Sequence, residues 1–247
     1  MAAVGLAACK TTKVMNENLV GNQLLTVDAV AVGSHSYLVV KPLPGTWVMT
    51  SSHEAPDVND SGTLLSVAAA FTSDDLTTVC GDHVVAGKLI KGYDDVTATG
   101  HMLIVDGKVS IRPNDVLKSS MKSAIDRHGY LFQQCYIVEN GVDRHDRIPQ
   151  AILDRRAHII YRCAALLADG NLAVIQGIDD QYPEEFVAGL VKLGVRDALY
   201  LDMGSWAYGW YRTRAGGMVH ELARHYDNTR YQSNWLIIKA KIRNKVD

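Results

Sequence analysis

No stretch of this chain reaches the roughly 18 consecutive apolar residues that a membrane-spanning helix requires, so no helical span is expected. Neither sign of charge dominates: 25 Lys and Arg stand against 27 Asp and Glu, a formal net charge of −2. Without a basic field the chain lacks the electrostatic footprint of a nucleic-acid binder, and nucleic acid is not expected as a partner. Only four cysteines are present, none in a CxxC or zinc-type spacing, so no metal cluster is expected. Three of them, Cys80, Cys135 and Cys163, are interior and admit at most one disulfide; buried thiols are the expectation. Among the nine histidines, His220 and His225 are poorly placed to share an ion on a helix. His145 lies in the charged stretch Asp143–Arg147, which reads as surface. No repeat recurs at a fixed period, and no cofactor is expected.

What is present is an ordinary globular composition, 47% hydrophobic and 21% charged over 247 residues. Leu24–Val32 and Tyr37–Lys41 read as strands around the turn Gly33–Ser36, Trp47–Thr50 as a further strand and 51–62 as a polar loop. Leu64–Phe71 is a continuous small apolar run, read as a buried strand, with a short helix as the alternative. Val84–Gly92 precedes a hairpin, Met102–Ile111, built on the turn Asp106-Gly107. The same pattern of apolar strand, turn and strand recurs at Asn140-Gly141 and at Ala168–Asn171. Pro113–Asp126 has helical spacing with Asn114 as cap, and Glu185–Gly194 reads as a helix ending at a glycine. The implied architecture is α+β: a single domain with a hairpin-rich mixed or antiparallel sheet flanked by a few helices.

The N-terminus is treated separately. Leu6-Ala7-Ala8-Cys9 resembles a bacterial lipobox, although the preceding segment is short and lacks a positively charged start. Lipidation at Cys9 would make the chain a periplasmic or outer-membrane lipoprotein of the cell envelope, touching membrane only through that anchor. The alternative is an alanine-rich leader with an incidental cysteine. Residues 1–22 are read as leader and polar tether, and 23–247 as the domain. The Lys239–Lys245 end reads as a solvated tail.

The most informative segment is Ala198–Trp206, a short apolar strand that delivers Asp202 into the small-residue turn Met203-Gly204-Ser205. Such a turn places a carboxylate at a strand mouth, and it is also ordinary turn chemistry. Four stretches, in order, resemble the phosphodiester glycosidase family. Ala68-Ala69-Ala70-Phe71-Thr72 stands where the family has Asn-Gly-Gly-Phe-Phe. Tyr136–Gly141, after Gly129–Phe132, stands where the family has a hairpin with an Asp-Gly turn. Arg162-Cys163-Ala164 with Asp169-Gly170 matches its Arg-Thr-Ala strand and turn. Leu193–Ala198 and Leu201-Asp202-Met203-Gly204-Ser205 match its helix end and Leu-Asp-Gly-Gly-Gly-Ser signature. The resemblance covers most of 60–240, with Ser233–Ile237 as a final strand. The departures are Ala68, Ala69 and Ala70 for Asn-Gly-Gly, and Met203 for the first glycine of the triplet.

The resemblance implies hydrolysis of a sugar-1-phosphodiester in a glycan or cell-envelope substrate. Asp202 and Arg162 would be catalytic: Arg162 would fork onto phosphate oxygens, and Asp202 would stabilise an oxocarbenium-like sugar, attack it or activate water. The alternative for Arg162 is a strand-end arginine pairing with Asp179 or Asp202. Backbone amides of Gly204 and Ser205 would add donors. Ala70, Phe71, Thr72, Trp206 and Tyr208 would line the pocket, the aromatics as a platform for sugar rings. Asp179 and Asp180 read mainly as the cap of the next helix. Asp179 is also a substrate-binding candidate, since its strand should lie beside that of Asp202. Arg162, Asp202 and the Ala69–Phe71 backbone should therefore meet in one pocket. A catalytically silent carbohydrate- or envelope-binding protein with the same fold is the second reading.

Overall fold

The computed structural model describes residues 23–94, 96–154 and 158–241. Cys9 and the lipobox-like leader lie outside the described residues, as does most of the basic C-terminal stretch. Three sheets carry the fold, and every strand pair in them is antiparallel. The first has seven strands in the order β1 (Leu25–Val32), β2 (His35–Pro42), β13 (Leu172–Gly177), β12 (Arg162–Leu167), β14 (Val195–Tyr200), β10 (Tyr136–Glu139), β11 (Val142–Asp143). The second runs β16 (His220–Ala223), β15 (Gly209–Tyr211), β4 (Thr63–Ala68), β17 (Trp235–Ala240), β3 (Trp47–Ser52). The third runs β6 (Lys88–Ile90), β5 (His83–Val85), β9 (Tyr130–Gln134), β7 (Gly100–Val105), β8 (Lys108–Pro113). Helices are few: α1 (Leu117–Asp126), α2 (Gln150–Asp154) and α3 (Pro183–Lys192). The fold class is α+β, as expected, and among the described residues no helix is long and apolar enough to cross a membrane.

The continuous apolar runs have a simple cause: the seven-stranded sheet is covered on both faces. Along β12 and β13, Ala164, Leu166, Leu172 and Val174 face a core shared with the other two sheets, where they meet Leu65, Val67, Phe132 and Leu236. The alternate residues, Cys163, Ala165, Ala173 and Ile175, face α3 through Phe186, Val187 and Leu190. A one-residue slip of either strand would exchange the two sets, so the pattern fixes register. A smaller cluster, Val84, Leu103, Leu131 and Ala124, packs α1 on the third sheet.

Turn chemistry reads through to geometry. Asp106 and Gly107 have φ of 52° and 71°, and Asn140 and Gly141 have 51° and 77°, the paired positive values that two-residue hairpins demand. Several expectations are corrected. Asn114 caps nothing; it belongs to a short 3-10 turn before α1 and bonds His101 Nδ1 at 3.1 Å, Gln133 Oε1 at 3.2 Å and the Ala98 carbonyl. α3 begins at Pro183, and its first turn is closed by Glu185, whose carboxylate accepts the Tyr182 N–H at 2.9 Å. Lys239 is not tail: it is the fifth residue of β17, and its Nζ reaches Asp60 at 3.2 Å. Strands β9, β15 and β16 had no clear signal in the sequence. Cys80, Cys135 and Cys163 are buried thiols outside any disulfide.

Candidate functional site

Asp202 occupies the point at which the chain passes from one sheet to another. The Leu201 N–H still donates to the Arg162 carbonyl of β12 at 3.0 Å. One residue later the Asp202 N–H donates at 2.9 Å to the carbonyl of Ala69, just beyond β4 in the second sheet. Gly204, at φ 70°, then turns the chain into the short 3-10 segment Gly204–Trp206. The Tyr208 carbonyl accepts the Ala68 N–H at 3.1 Å, and β15 pairs with β4. The crossing is what carries the aspartate into the interior.

The Asp202 side chain is buried, with 6% of the residue exposed. Burial pushes its carboxyl well above the usual carboxylate range; the Met203 backbone N–H and the Gln232 amide work the other way without offsetting it. Gln232 sits close by, its Nε2 donating to the Ala70 carbonyl at 2.9 Å and the Asn234 carbonyl at 3.1 Å. No cation pairs with Asp202 among the described residues. Its proton is therefore held more tightly than that of an ordinary carboxyl group.

Asp202 lines a cavity of about 290 Å³. Phe71, Thr72 and Trp206 line it with Asp202, as the sequence predicts, and Asp74, Tyr93, Thr97 and Pro149 complete the wall. Phe71 leans on Tyr200 with ring centroids 5.8 Å apart, and Thr72 Oγ1 and Ser233 Oγ are 2.9 Å apart. The lining thus combines aromatic faces, hydroxyls and two carboxyl groups, and none of its described residues is cationic. Tyr93, Thr97 and Pro149 lie on loops without motifs; only their position in the fold reveals them. Asp74 was visible only as one acid of the pair Asp74-Asp75 in a polar stretch.

Arg162 is brought beside Asp202 in the backbone and not in the side chain. Its residue is fully buried, its Nε donates to Gln176 Oε1 at 2.8 Å, and its Nη1 donates to the Ala207 carbonyl at 2.9 Å. Burial lowers its pKa to about 9. Neither Asp179 nor Asp202 pairs with it, and it is not among the cavity residues. Its contact with Ala207 anchors, from the interior, the segment that carries Trp206.

The other candidates divide. Ala70 is buried behind the cavity wall, its N–H facing Asn234 Oδ1 at 3.4 Å. Gly204 and Ser205 are exposed, Ser205 Oγ accepting from Asn228 at 3.2 Å. Tyr208 packs edge-on against Trp235 at 6.0 Å and His225 at 5.0 Å, outside the cavity lining. Asp179 stands apart: β12 separates β13 from β14, so its strand does not lie beside that of Asp202. It accepts from the Ser36 N–H at 2.9 Å and contacts His35 Nδ1 at 2.5 Å. No group of three or more His, Cys, Asp or Glu side chains among the described residues is arranged to hold a metal ion.

No protein-family model and no curated protein matches this chain. Among solved structures, the catalytic domain of zebrafish N-acetylglucosamine-1-phosphodiester alpha-N-acetylglucosaminidase, auto-inhibited by its pro-peptide, superposes with a TM-score of 0.60. The two chains share a fold. The match spans 95% of this chain and 88% of that one at 11% identity, a distant structural relationship. A hypothetical protein from Synechocystis superposes with a TM-score of 0.51 at 12% identity, over 88% of this chain and 62% of that one.

Proposed function

We propose that this chain is a hydrolase that cleaves a sugar-1-phosphodiester bond, with Asp202 acting from its neutral form. The observation that carries the reading is the buried carboxyl of Asp202, without a cationic partner among the described residues, at the wall of a cavity with aromatic and hydroxyl lining. A carboxylate there would repel an anionic phosphodiester. A carboxylic acid can approach a phosphate oxygen and donate a hydrogen bond to it. In the reaction the C1–O bond breaks, the phosphate monoester leaves with the bridging oxygen, and water supplies the hydroxyl that remains on C1. Trp206 offers a face for the sugar ring. The fold shared with a phosphodiester-cleaving domain agrees with this reading. Tethering through a lipid on Cys9 would put the site in the cell envelope, where such glycans are found.

The commitment of Arg162 to Gln176 and Ala207 favours a second reading, a carbohydrate-binding protein without turnover. A panel of sugar-1-phosphodiesters, with release of free sugar and of phosphate monoester both monitored, separates the two. Turnover that disappears in Asp202→Asn supports the hydrolase. Saturable binding without product release across the panel supports the binding protein.

A further inference from the structure

A second cavity lies toward the other end of β12, and it shares no residue with the one at Asp202. Arg162, whose carbonyl accepts the Leu201 N–H, opens β12, and Leu166 stands four residues further along the strand. At roughly 3.3 Å per residue the two positions are about 13 Å apart. Leu166 and its β13 partner Leu172, both buried, give this cavity its apolar floor. Its volume is about 370 Å³, larger than the cavity at Asp202 and within the roughly 300–1,000 Å³ usual for small-molecule sites.

Three separate connections build its wall. The start of β3 supplies Trp47, the β7–β8 hairpin supplies Lys108 and Val109, and the β12–β13 hairpin supplies Asn171. Their polar atoms are unspent. Trp47 is half-buried against the core that contains Leu166 and Leu172, and its Nε1–H has no partner among the described residues. Asn171 gives its Nδ2 to Asp169 at 2.8 Å, which leaves Oδ1 free to accept. Lys108 is exposed and forms no ion pair among the described residues. The acids on the two hairpin turns are already engaged, Asp106 by Arg127 and Asp169 by Asn171. No acidic residue lines the cavity, so Lys108 sets its sign as positive. A Cβ at Gly107 or Gly170 would meet nothing within 4 Å, so both turns leave the mouth open.

We propose that this cavity is a non-catalytic glycan-binding site that takes a pyranose bearing a carboxylate or phosphate group. An indole beside aliphatic side chains suits the C–H face of a sugar ring. The free indole N–H and the Asn171 Oδ1 suit its hydroxyls, and the Lys108 ammonium meets the anion as a point charge. The charge preference is the reverse of that at Asp202, where the described lining carries acids and no cation. One chain can thereby hold an acidic glycan at one end of the sheet while the other end stays open to a different unit. Binding here requires no catalysis by Asp202.

The test is fluorine NMR of the full chain labelled with fluorotryptophan, whose four signals, from Trp47, Trp206, Trp210 and Trp235, are assigned with Trp47→Phe and the three corresponding variants. Glucuronic acid and glucose 6-phosphate are titrated as the carboxylate and phosphate arms, with glucose and inorganic phosphate as controls. Saturable movement of the Trp47 signal is expected with at least one acidic sugar, at a half-saturating concentration roughly tenfold below that of glucose. Lys108→Glu, a change on the exposed surface, should erase that advantage. Trp206 reports on the Asp202 cavity in the same spectra, so the two sites succeed or fail separately. A Trp47 signal that neither acidic sugar moves, an equal response to glucose, the same response to inorganic phosphate alone, or an unchanged titration in Lys108→Glu would each overturn the proposal.

Discussion

The amide of Asp202 donates to the carbonyl of Ala69 at 2.9 Å, and this single bond ties the end of β14 in one sheet to the end of β4 in another. It holds a buried acid at a seam whose two sides are fixed by separate hydrogen-bond ladders. Positioning of the carboxyl therefore depends on how the sheets pack, and the first prediction follows from its protonation.

Asp202 has its folded-state pKa raised, so the folded protein holds this proton more tightly than the unfolded chain. The associated stability is fully present below the unfolded value and is lost as pH rises through the folded one. Asp202→Asn cannot ionise and should lose less stability over that interval, measured by denaturant titration at a series of pH values. Under the proposed reaction the same substitution lowers turnover by roughly 10²–10⁴-fold. Wild-type turnover should fall as pH rises through the same titration. A variant as active as wild type would remove Asp202 from the mechanism.

Arg162→Lys should destabilise the fold by on the order of 3 kcal/mol. A lysine cannot replace both the Gln176 and the Ala207 hydrogen bonds, each made to a charged donor. Because Ala207 follows the segment bearing Trp206, sugar binding should weaken as well. Chemical denaturation and ligand titration on the same sample would show both losses; binding lost at unchanged stability would instead indicate direct ligand contact.

Trp206 is only half-buried, so Trp206→Ala should leave the unfolding midpoint nearly unchanged. The cavity would lose one aromatic face, and affinity for the sugar should fall about tenfold, ~1.4 kcal/mol. Intrinsic fluorescence during a sugar titration reads this directly. Unaltered affinity would place the sugar elsewhere.

Gly189 sits within α3 directly over the Tyr37 ring, and a Cβ there would collide with the Tyr37 hydroxyl. That hydroxyl donates to Gln181 Oε1 at 3.0 Å and is 3.4 Å from the Glu185 carbonyl, so it is not free to swing away. Gly189→Ala, which raises helix propensity by about 1 kcal/mol, should still destabilise by about 1–3 kcal/mol through overpacking. A thermal melt decides the sign.

The parts of this fold legible in sequence are those written in short-range chemistry. Asp106-Gly107 and Asn140-Gly141 announce their hairpins because few residue pairs accept two successive positive φ values. The run Cys163–Leu166 announces burial on both faces. The strand-end turn at Asp202 was equally visible, and with it Phe71, Thr72 and Trp206. Sequence adjacency was misleading where a polar side chain had a choice of partners. Asn114 and Asp179 look like helix caps locally, but distant groups, His101 and Gln133 for one and His35 for the other, compete for them and prevail. Tyr93, Thr97 and Pro149 reach the cavity only because the third sheet and the α2 region fold against β14, a non-local arrangement with no periodic trace. The same holds for β15 and β16, whose short mixed segments become strands because β4 offers an edge to β15, and β15 in turn to β16.

Cys80, Cys135 and Cys163 have no exposed surface; Cys135 and Cys163 share the core that faces α3, and Cys80 lies apart from it. Cys80 bridges to Tyr93, Cys135 accepts the Tyr200 N–H between β9 and β10 at 2.9 Å, and Cys163 lies on β12 beneath α3. A thiol reagent reaches each only when its own neighbourhood opens. Reaction at Cys80 would therefore date the opening of its bridge to Tyr93, and reaction at Cys135 and Cys163 the opening of the core they share beneath α3. In that sense the domain carries two internal clocks for its own local unfolding.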